Sequence, residues 1–274
     1  MSRPKVSVLI PVYNGARFLR AAIDSVLNQQ FSDFELIICD NASQDETPAI
    51  VKSYTDTRIR YHCNAQNIGL IPNWNMACSL ARGMYIKLLP ADDVVYPFAL
   101  RDQVAVLDAD TSHAIALVAS ARHIINETGK VVLTRRFSRR LQTLSGNEAV
   151  NRVIRSGGNG IGEGGAVMFR ASLLQKAGPF NSSIFYVLDL DQWFKFLQYG
   201  QLVYLPQVLS AFRVSSNSSS VRIAGQQRSD YIKFISAVYK NKVYGLTPFN
   251  YCVGMFKTII FTELKKLMYR FVIR

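Results

Sequence analysis

The 274-residue chain is short of the residue types that build several common sites. Its four cysteines show no C-x-x-C spacing, and its three histidines are poorly spaced for a metal cluster. We therefore expect reduced thiols in a cytosolic protein rather than disulfides or a zinc site. The sequence also contains no stretch of about 18 uncharged apolar residues, so we do not expect a membrane-spanning helix.

Export and phosphate-binding motifs are missing as well. Pro11 cuts the first apolar run to strand length, and no small-residue cleavage site follows it, which argues against a signal peptide. No G-x-G-x-x-G follows that strand and no Walker lysine motif occurs, so dinucleotide and P-loop chemistry lack their phosphate cradles. With 49% hydrophobic residues, 16 glycines and 9 prolines, the chain is neither disordered nor collagen-like.

Acidic residues are scarce in the later part of the chain. Residues 1–100 hold 9 Lys/Arg and 9 Asp/Glu, whereas residues 101–274 hold 23 and 10, which accounts for the whole net charge of +13. Such a basic part suits an anionic substrate, an anionic membrane or nucleic acid. Because the basic residues form no recognisable RNA- or DNA-binding motif with aromatics, we do not expect a nucleic-acid partner.

Strand and helix patterns alternate through the first hundred residues. Apolar strands begin near residues 6, 34, 59 and 85, roughly 25 residues apart, with helical stripes between them. This alternation predicts an α/β fold, with a mostly parallel sheet flanked by helices. After residue 113, apolar runs on either side of a turn at residues 127–129 predict added antiparallel strands.

The last fifty residues follow a different pattern. We expect a catalytic domain over residues 1–222 and a basic, amphipathic helical extension over residues 223–274. An apolar stripe of helical spacing contains Val253, Phe256, Ile260, Leu264, Leu267 and Phe271. Its basic neighbours are Lys257, Lys265, Lys266 and Arg270. Such a helix either packs on the domain or lies on an anionic membrane, so the expected location is the cytoplasm or the inner face of the cell membrane.

Polar residues follow the predicted parallel strands, at the edge where open α/β sheets bind ligands. Among them, Asp92 and Asp93 are adjacent carboxylates that repel each other unless a cation or hydrogen-bond donors lie between them and a ligand. Mg²⁺ or Mn²⁺, bridged to diphosphate oxygens, suits such ligands. The alternative is that this pair caps the next helix without a metal.

Several segments resemble, in the same order, those of family 2 glycosyltransferases, which have the GT-A fold. These segments are residues 6–14, 40–47, 67–69, 91–93, 180–181, 188–193 and 212–214. The resemblance implies transfer of a sugar, with inversion, from a nucleotide-diphosphate donor, expected to be a UDP-sugar. The implied acceptor is a saccharide or a lipid-linked hydroxyl in cell-surface polysaccharide or glycolipid synthesis.

The resemblance also implies a set of donor contacts. The residues that would bind the nucleotide-sugar are Pro11, Tyr13, Asn14, Asp40, Asn67, Asp92 and Arg213. Within this set, Asp40 would accept a hydrogen bond from the base and Asp92 would meet the ribose or sugar. Asp93 would hold Mn²⁺ or Mg²⁺ on the diphosphate. For Asn67, stabilising the turn before Gly69 is an equal alternative.

Inversion in one step needs a general base for the acceptor hydroxyl. The family pattern of an acidic pair followed by tryptophan implies Asp189 as that base, with Trp193 on the acceptor side. The glycine-rich loop of residues 160–165 is either an acceptor-side loop, with Glu163 touching sugar hydroxyls, or a mobile surface loop. Asp191 would point roughly 200° away on the same helix, so only one of the two carboxylates can face the cleft. Capping of that helix is the other role open to Asp189.

Two departures from the family pattern leave parts of the site open. Leu188 stands where the family has Glu, and Ser215 stands where it often has a His near the metal. The alternative activity is that of a sugar-phosphate nucleotidyltransferase. That chemistry needs a glycine-rich basic loop after the first strand, and residues 14–17 are a poor version of one.

Overall fold

The computed structural model describes residues 3–181, 183–215 and 225–272, without the side chains of Phe185 and residues 265–272. Within this part, ten strands form one mixed sheet flanked by α-helices. The strands are β1 (Val6–Val12), β2 (Phe34–Asp40), β3 (Ile59–Cys63), β4 (Tyr85–Leu88), β5 (Val94–Val95), β6 (Ile115–Ile125), β7 (Val131–Arg135), β8 (Gln142–Leu144), β9 (Val167–Arg170) and β10 (Gln201–Arg213). The helices are α1 (Ala16–Leu27), α2 (Thr47–Lys52), α3 (Leu70–Leu80), α4 (Ala99–Ala109), α5 (Gly146–Ser156), α6 (Ser172–Ala177), α7 (Leu188–Leu197), α8 (Gln227–Lys240) and α9 (Pro248–Val272). No helix within the described ranges is both long and apolar enough to cross a bilayer.

The sheet order places the ends of the long strands at one edge. The order is β3-β2-β1-β4-β9-β6-β10-β5, with β7 beside β6 and β8 beside β10. The pairs β1–β2, β2–β3, β1–β4 and β6–β10 are parallel, and β9 runs antiparallel to both β4 and β6. The strands β1, β2, β3, β4, β6 and β10 therefore all end at the same edge, where β9 begins.

Two hydrophobic clusters cover the two faces of the sheet. In β1, Val8 and Ile10 face the helices α1 and α4, whereas Leu9 faces the side covered by α3, α5, α7 and α8. This alternation follows from the two-residue period of a strand, and burial on both faces explains why β1 is apolar throughout. The predicted mostly parallel α/β sheet is confirmed, as is the antiparallel pairing of β7 with β6 across the turn at residues 127–129.

Helix termini follow the local chemistry of the sequence. Ser145 caps α5 with a capping box: its hydroxyl accepts from the Glu148 N–H, and Glu148 bonds back to the Ser145 N–H. Asp92 and Asp93 do not cap a helix, because β5 follows them and α4 begins after Phe98 without a side-chain cap. The capping alternative for this pair is therefore wrong.

One buried charge lies away from that edge of the sheet. Lys87 of β4 is fully buried against α4, and its Nζ donates to Gln103 Oε1 at 2.7 Å. Burial lowers the pKa of Lys87 to about 7. The amino group has a hydrogen-bond partner there but no carboxylate, so its protonated form is disfavoured in the folded state.

The C-terminal helices pack on the sheet domain. Tyr231, Phe234 and Ile235 of α8 belong to the same cluster as β1 and β4. The helix α9 crosses α5 where two glycines allow close approach: a Cβ at Gly254 would lie 2.6 Å from the Ile154 carbonyl oxygen, and one at Gly157 would lie 2.7 Å from Lys257 Cβ. The predicted domain boundary at 222/223 falls outside the described residues and stays a prediction, as does the side-chain pattern beyond Leu264.

Candidate active site

A large cleft opens at the carboxyl edge of the sheet. Its volume is about 1380 Å³, and its wall extends from the end of β1 to the helices α7, α8 and α9. The structure brings most of the predicted site residues to this cleft. Those that line it are Pro11, Tyr13, Asn14, Asn67, Asp92, Glu163 and Asp189.

The segment after β1 forms one end of the cleft, which we name the donor end. Tyr13 is 47% exposed there and presents an aromatic face to the cleft. Asn14 adopts a φ of 49°, a left-handed conformation that asparagine tolerates better than most residues. Its backbone N–H donates to Ser43 Oγ at 2.8 Å, and its side-chain oxygen accepts from the Gln44 N–H at 2.8 Å. These bonds fix the loop that carries Tyr13.

A network of asparagines, which the sequence analysis missed, closes the floor of the donor end. Asn41 donates to Asn67 Oδ1 at 2.7 Å and accepts from Asn64 Nδ2 at 3.0 Å. Asn64 also donates to Asn73 Oδ1 at 2.8 Å. Asn67 accepts from the Gly69 N–H at 2.9 Å, so it stabilises the turn while it lines the cleft. The turn-stabilising role of Asn67 is therefore confirmed, and its contact with a nucleotide stays a prediction.

Asp40 is fully buried and is not among the residues that line the cleft. One carboxylate oxygen accepts from the Ser43 N–H at 3.0 Å and the other from the Tyr61 hydroxyl at 2.6 Å. Asp40 therefore holds the loop after β2 against β3. Its contact with a base stays a prediction.

Asp92 and Asp93 follow β4 and differ in their surroundings. Asp92 lines the cleft, whereas Asp93 is 2% exposed and accepts a hydrogen bond from the Arg213 N–H at 2.8 Å. Burial raises the pKa of Asp92, and burial together with the neighbouring Asp92 raises the pKa of Asp93 well above its usual range. Burial therefore disfavours the ionised form of both carboxyls, and the charge of Asp92 adds to this effect at Asp93.

This pair fits a divalent cation that brings other ligands with it. A cation beside the two carboxyls would favour their ionised forms. Among the described residues, no group of three or more His, Cys, Asp or Glu side chains is placed to hold a metal. Mg²⁺ and Mn²⁺ suit such a site, since they commonly take one or two protein carboxylates and complete their shell with substrate phosphates and water.

The guanidinium of Arg213 bonds to the protein through Nε and Nη1, and its contact with the nucleotide-sugar stays a prediction. Its Nε donates to the Asp92 carbonyl oxygen at 2.8 Å, and its Nη1 donates to the carbonyl oxygens of Asn126 and Glu127. The group stacks 4.7 Å above the Phe18 ring, and Arg213 as a whole is 6% exposed. Arg213 therefore ties the end of β10 to the Asp92 loop and to the β6–β7 turn.

Glu163 lies on the cleft wall in an ion pair with Arg122 of β6. Arg122 is 1% exposed and also donates to the Asn159 carbonyl oxygen at 3.0 Å. Although burial would raise the pKa of Glu163, the charges of Arg122 and Arg135 lower it below its ordinary value. Glu163 is therefore an ionised acceptor of hydrogen bonds. The sequence feature that could have identified Arg122 is its position as a charged residue within an otherwise apolar strand.

Asp189 lies in the first turn of α7 and faces the cleft. The cap position of α7 is Val187, and the Asp189 carboxylate instead accepts the backbone N–H of Gly164. Burial and the nearby charge of Glu163 raise the pKa of Asp189 to about 7. Asp191 points away and pairs with Lys195 at 2.6 Å. Of the two candidate carboxylates, only Asp189 could act on a ligand in the cleft.

Trp193 does not line the cleft, which corrects its predicted contact with an acceptor. Its ring is fully buried, and Nε1 donates to the Gly162 carbonyl oxygen at 2.9 Å. Leu188 and Ser215, which depart from the family pattern, are both buried side chains on the cleft wall. The neighbouring wall is apolar at the position where the family has Glu.

The arginines of the cleft were not predicted individually. Besides Arg17 near the donor end, four line the remainder of the cleft: Arg122, Arg135, Arg136 and Arg152. In the sequence they were indicated only by the basic excess after residue 100, which does not show which basic side chains lie together in the fold. They meet because β6, β7 and α5 all border the cleft.

Comparison with known proteins assigns this arrangement to a class. The model for glycosyl transferase family 2 matches residues 7–178. An uncharacterized glycosyltransferase of Rickettsia prowazekii is 29% identical over 231 residues, which cover 83% of this chain and 69% of that protein. S. aureus TarS, solved with UDP-GlcNAc, has a TM-score of 0.68 at 17% identity, covering 88% of this chain and 70% of that one. The mannosyltransferase PcManGT of Pyrobaculum calidifontis, solved with GDP-Man and Mn²⁺, has a TM-score of 0.60 at 16% identity, covering 98% and 72%.

The fold and the cleft define a glycosyltransferase with the GT-A fold. The chain belongs to glycosyl transferase family 2, whose model matches well over half of its residues. The resemblance drawn from the sequence segments is thereby confirmed, and nucleotidyl transfer receives no support. The matched region ends at residue 178, before α7, so the role of Asp189 rests on the geometry described above.

Proposed function

We propose that the protein is an inverting glycosyltransferase that moves a sugar from a nucleoside-diphosphate donor, expected to be a UDP-sugar, to an acceptor hydroxyl. The observation that supports this best is that Asp92 and Asp189 line one cleft, with the pKa of Asp189 raised to about 7. A carboxylate with such a pKa is well matched to accept a proton near neutral pH.

The nucleotide would occupy the donor end. Pro11, Tyr13, Asn14 and Asn67 would contact the nucleoside, and Asp92 would accept a hydrogen bond from the ribose or the sugar. The exposed ring of Tyr13 and the fixed loop at Asn14 support this placement. Asp93, with Asp92 beside it, would hold Mg²⁺ or Mn²⁺, which neutralises charge on a leaving diphosphate.

The proposed transfer is a single displacement. The acceptor hydroxyl oxygen forms a bond to the anomeric carbon while the bond from that carbon to the diphosphate oxygen breaks. The bonding electrons leave with the nucleoside diphosphate, and the hydroxyl proton passes to a carboxylate oxygen of Asp189. Glu163, held by Arg122, would orient a sugar hydroxyl on the acceptor side.

The acceptor would be a saccharide or a lipid-linked saccharide of the cell surface. Exposed apolar side chains on α9 support peripheral contact with the inner face of an anionic membrane: Phe256, Ile259 and Ile260 are 66%, 40% and 43% exposed. Interfacial helices expose apolar residues in this way beside basic ones. We propose the cytoplasm, and the inner face of the cell membrane, as its location.

Two variants with matched chemistry test this function. Asp189→Asn removes the base, and we expect kcat to fall about 10²–10⁴-fold with unchanged affinity for the nucleotide. Asp191→Asn, at the ion pair with Lys195, should retain activity. Nucleoside diphosphate release is measured over a panel of nucleotide-sugars, and NMR assigns the anomer of the product. Full turnover by Asp189→Asn, retention of configuration, or release of pyrophosphate would contradict the proposal.

A further inference from the structure

The loop of residues 157–165 runs along the cleft, and its contacts show which groups lie at either end. Its first residue lies against α9, since a Cβ at Gly157 would be 3.2 Å from Phe261 Cδ2. Further along, the Gly164 N–H donates to Asp189. Its last residue lies beside Asp93, since a Cβ at Gly165 would be 4.0 Å from Asp93 Oδ2. The cleft therefore runs from Asp93, past Asp189, to α9, and we name the part beyond Asp189 the far end.

The walls of the far end are apolar and aromatic. Val187 and Leu190 of the α7 region line it, as does Tyr231 of α8. From α9, Phe261 and Leu264 line it while 45% and 56% of each residue stays exposed. These last two side chains gain most free energy from burial when apolar groups cover them, which a lipid chain would supply.

The far end is also cationic. Four arginines, Arg122, Arg135, Arg136 and Arg152, line the cleft together with the two carboxylates of Glu163 and Asp189. Arg122 is paired with Glu163, and Arg152 stacks 4.9 Å above the Phe137 ring. Arg136, the residue after β7, is exposed. Arginine forks match the geometry of phosphate oxygens, and an excess of them over carboxylates favours an anionic ligand.

One polar atom of the far end points to a ligand independently. Tyr231 is 3% exposed, and its hydroxyl has no hydrogen-bond partner among the described residues. It lies on the cleft wall, with its ring 6.4 Å from that of Tyr186 in an edge-on arrangement. A buried hydroxyl without a partner costs free energy, which a sugar hydroxyl or a phosphate oxygen in the cleft would recover.

We propose that the far end binds an acceptor in which a phosphate or diphosphate joins a sugar to a lipid chain. Arg135 and Arg136 bind the phosphate, and the Tyr231 hydroxyl bonds to a polar group next to it. The lipid chain extends out of the cleft over Phe261 and Leu264. The sugar then points toward Asp189. This inference rests on the proposed function and names the class of its acceptor.

The test measures binding of three probes to the full chain saturated with UDP and Mn²⁺. The first is N-acetylglucosamine joined through diphosphate to a chain of three isoprene units. The second is N-acetylglucosamine 1-phosphate, which lacks the lipid, and the third is octyl N-acetylglucosaminide, which lacks the phosphate. We expect the complete probe to bind at least about tenfold more tightly than either partial probe.

Two double variants separate the two contributions. Arg135→Gln with Arg136→Gln should weaken the complete probe and the sugar phosphate about tenfold, and leave the octyl glycoside unchanged. Phe261→Ser with Leu264→Ser should weaken the complete probe and the octyl glycoside by a similar factor, and leave the sugar phosphate unchanged. Phe256→Ser, exposed on the same helix but away from the cleft wall, is the control and should change none of them.

Several results would overturn the inference. Equal affinity for the complete probe and a partial one would remove either the lipid or the phosphate from the acceptor. An equal loss in Phe256→Ser would mean adsorption to the surface of α9 rather than binding in the cleft. The thermal shift caused by UDP with Mn²⁺ is recorded for every variant: if it is retained, the variant is folded, and if the unaltered chain lacks it, the proposed function itself fails.

Discussion

The indole Nε1 of Trp193 lies 2.9 Å from the carbonyl oxygen of Gly162, within the loop that crosses the cleft. Trp193 is fully buried on α7, the helix that also carries Asp189. The bond therefore couples the helix of the proposed base to the loop of Glu163. A change at Trp193 would alter the separation of these two carboxylates without touching a ligand.

We expect Trp193→Phe to lower kcat about tenfold and to leave the affinity for nucleotide unchanged, because it removes the loop's hydrogen bond from α7 and leaves the Gly162 carbonyl buried without that partner. Steady-state kinetics with a titration of UDP measures both quantities. The control is Phe196→Leu, a buried aromatic on the same helix with no polar group. An equal loss of kcat in both variants would show that helix packing, rather than the bond to Gly162, sets the activity.

We expect kcat/KM to rise with pH through about 7 and then level off, because Asp189 must be ionised to accept a proton. A pH profile of initial rates between pH 5 and 9 (about two units either side) measures this. A shift of the ascending limb to lower pH in Glu163→Gln would support the assignment, since the charge of Glu163 adds to the effect of burial in raising the pKa of Asp189. A flat profile in the unaltered protein would contradict it.

The same carboxyl should also affect stability. The pKa of Asp189 is raised from 3.8 to about 7 in the folded protein, so its contribution to the free energy of unfolding is fully present below pH 3.8 and is lost as pH rises to about 7. We therefore expect the Tm of Asp189→Asn, relative to the unaltered protein, to rise across this interval. Calorimetry at several pH values checks the trend, and a constant difference would contradict it.

Metal binding should depend on nucleotide. We expect Mn²⁺ alone to change Tm little and Mn²⁺ with UDP to raise it, because the protein contributes only the two carboxylates of Asp92 and Asp93 among its described residues. Asp93→Asn should lose the increment due to Mn²⁺ and lower kcat/KM about 100-fold. Asp102→Asn, at a surface ion pair with Arg101, serves as the control. An undiminished increment in Asp93→Asn would exclude that residue as a ligand.

The stability gained by the substitution Lys87→Met should become smaller as the pH rises. The pKa of Lys87 is lowered from 10.5 to about 7 by burial, so the folded state is penalised for this amine at and below pH 7 and the penalty fades as pH rises to 10.5. The Tm of Lys87→Met minus that of the unaltered protein should therefore fall between pH 7 and pH 10. A rising difference would mean that the amine is ionised in the folded state.

The position of the site follows from the sequence more directly than the role of each residue. Parallel strands end at one edge, so Asn14 and Asp92 had to lie near each other once β1 and β4 were identified. The partners of Asp40 and Arg213 could not be predicted, because they include the distant residues Tyr61 and Asn126, which no strand pattern reveals.

Helical spacing correctly indicated that only one of Asp189 and Asp191 faces the cleft, whereas the acceptor contact of Trp193 was implied by the family resemblance. A period of 3.6 residues says which residues share a face, but not whether a neighbouring loop covers that face. The loop at Gly162 covers Trp193, and the Gly164 N–H leaves the other side of Asp189 open to the cleft. The far end was not predicted for a similar reason. Tyr231 and Phe261 line the same cleft as Arg135 of β7 only because α8 and α9 pack on the sheet domain.

Gly157 brings the backbone of α5 and the side chains of α9 into direct contact, with no side chain between them that could give way. The span from Phe261 to Asp93 is therefore set before any substrate enters. If lipid-linked sugars anchor at Phe261, those longer by one ring would place their terminal hydroxyl beyond Asp189. Such an enzyme would select its acceptors by length, and would add one sugar at a fixed step of assembly rather than extend a polymer.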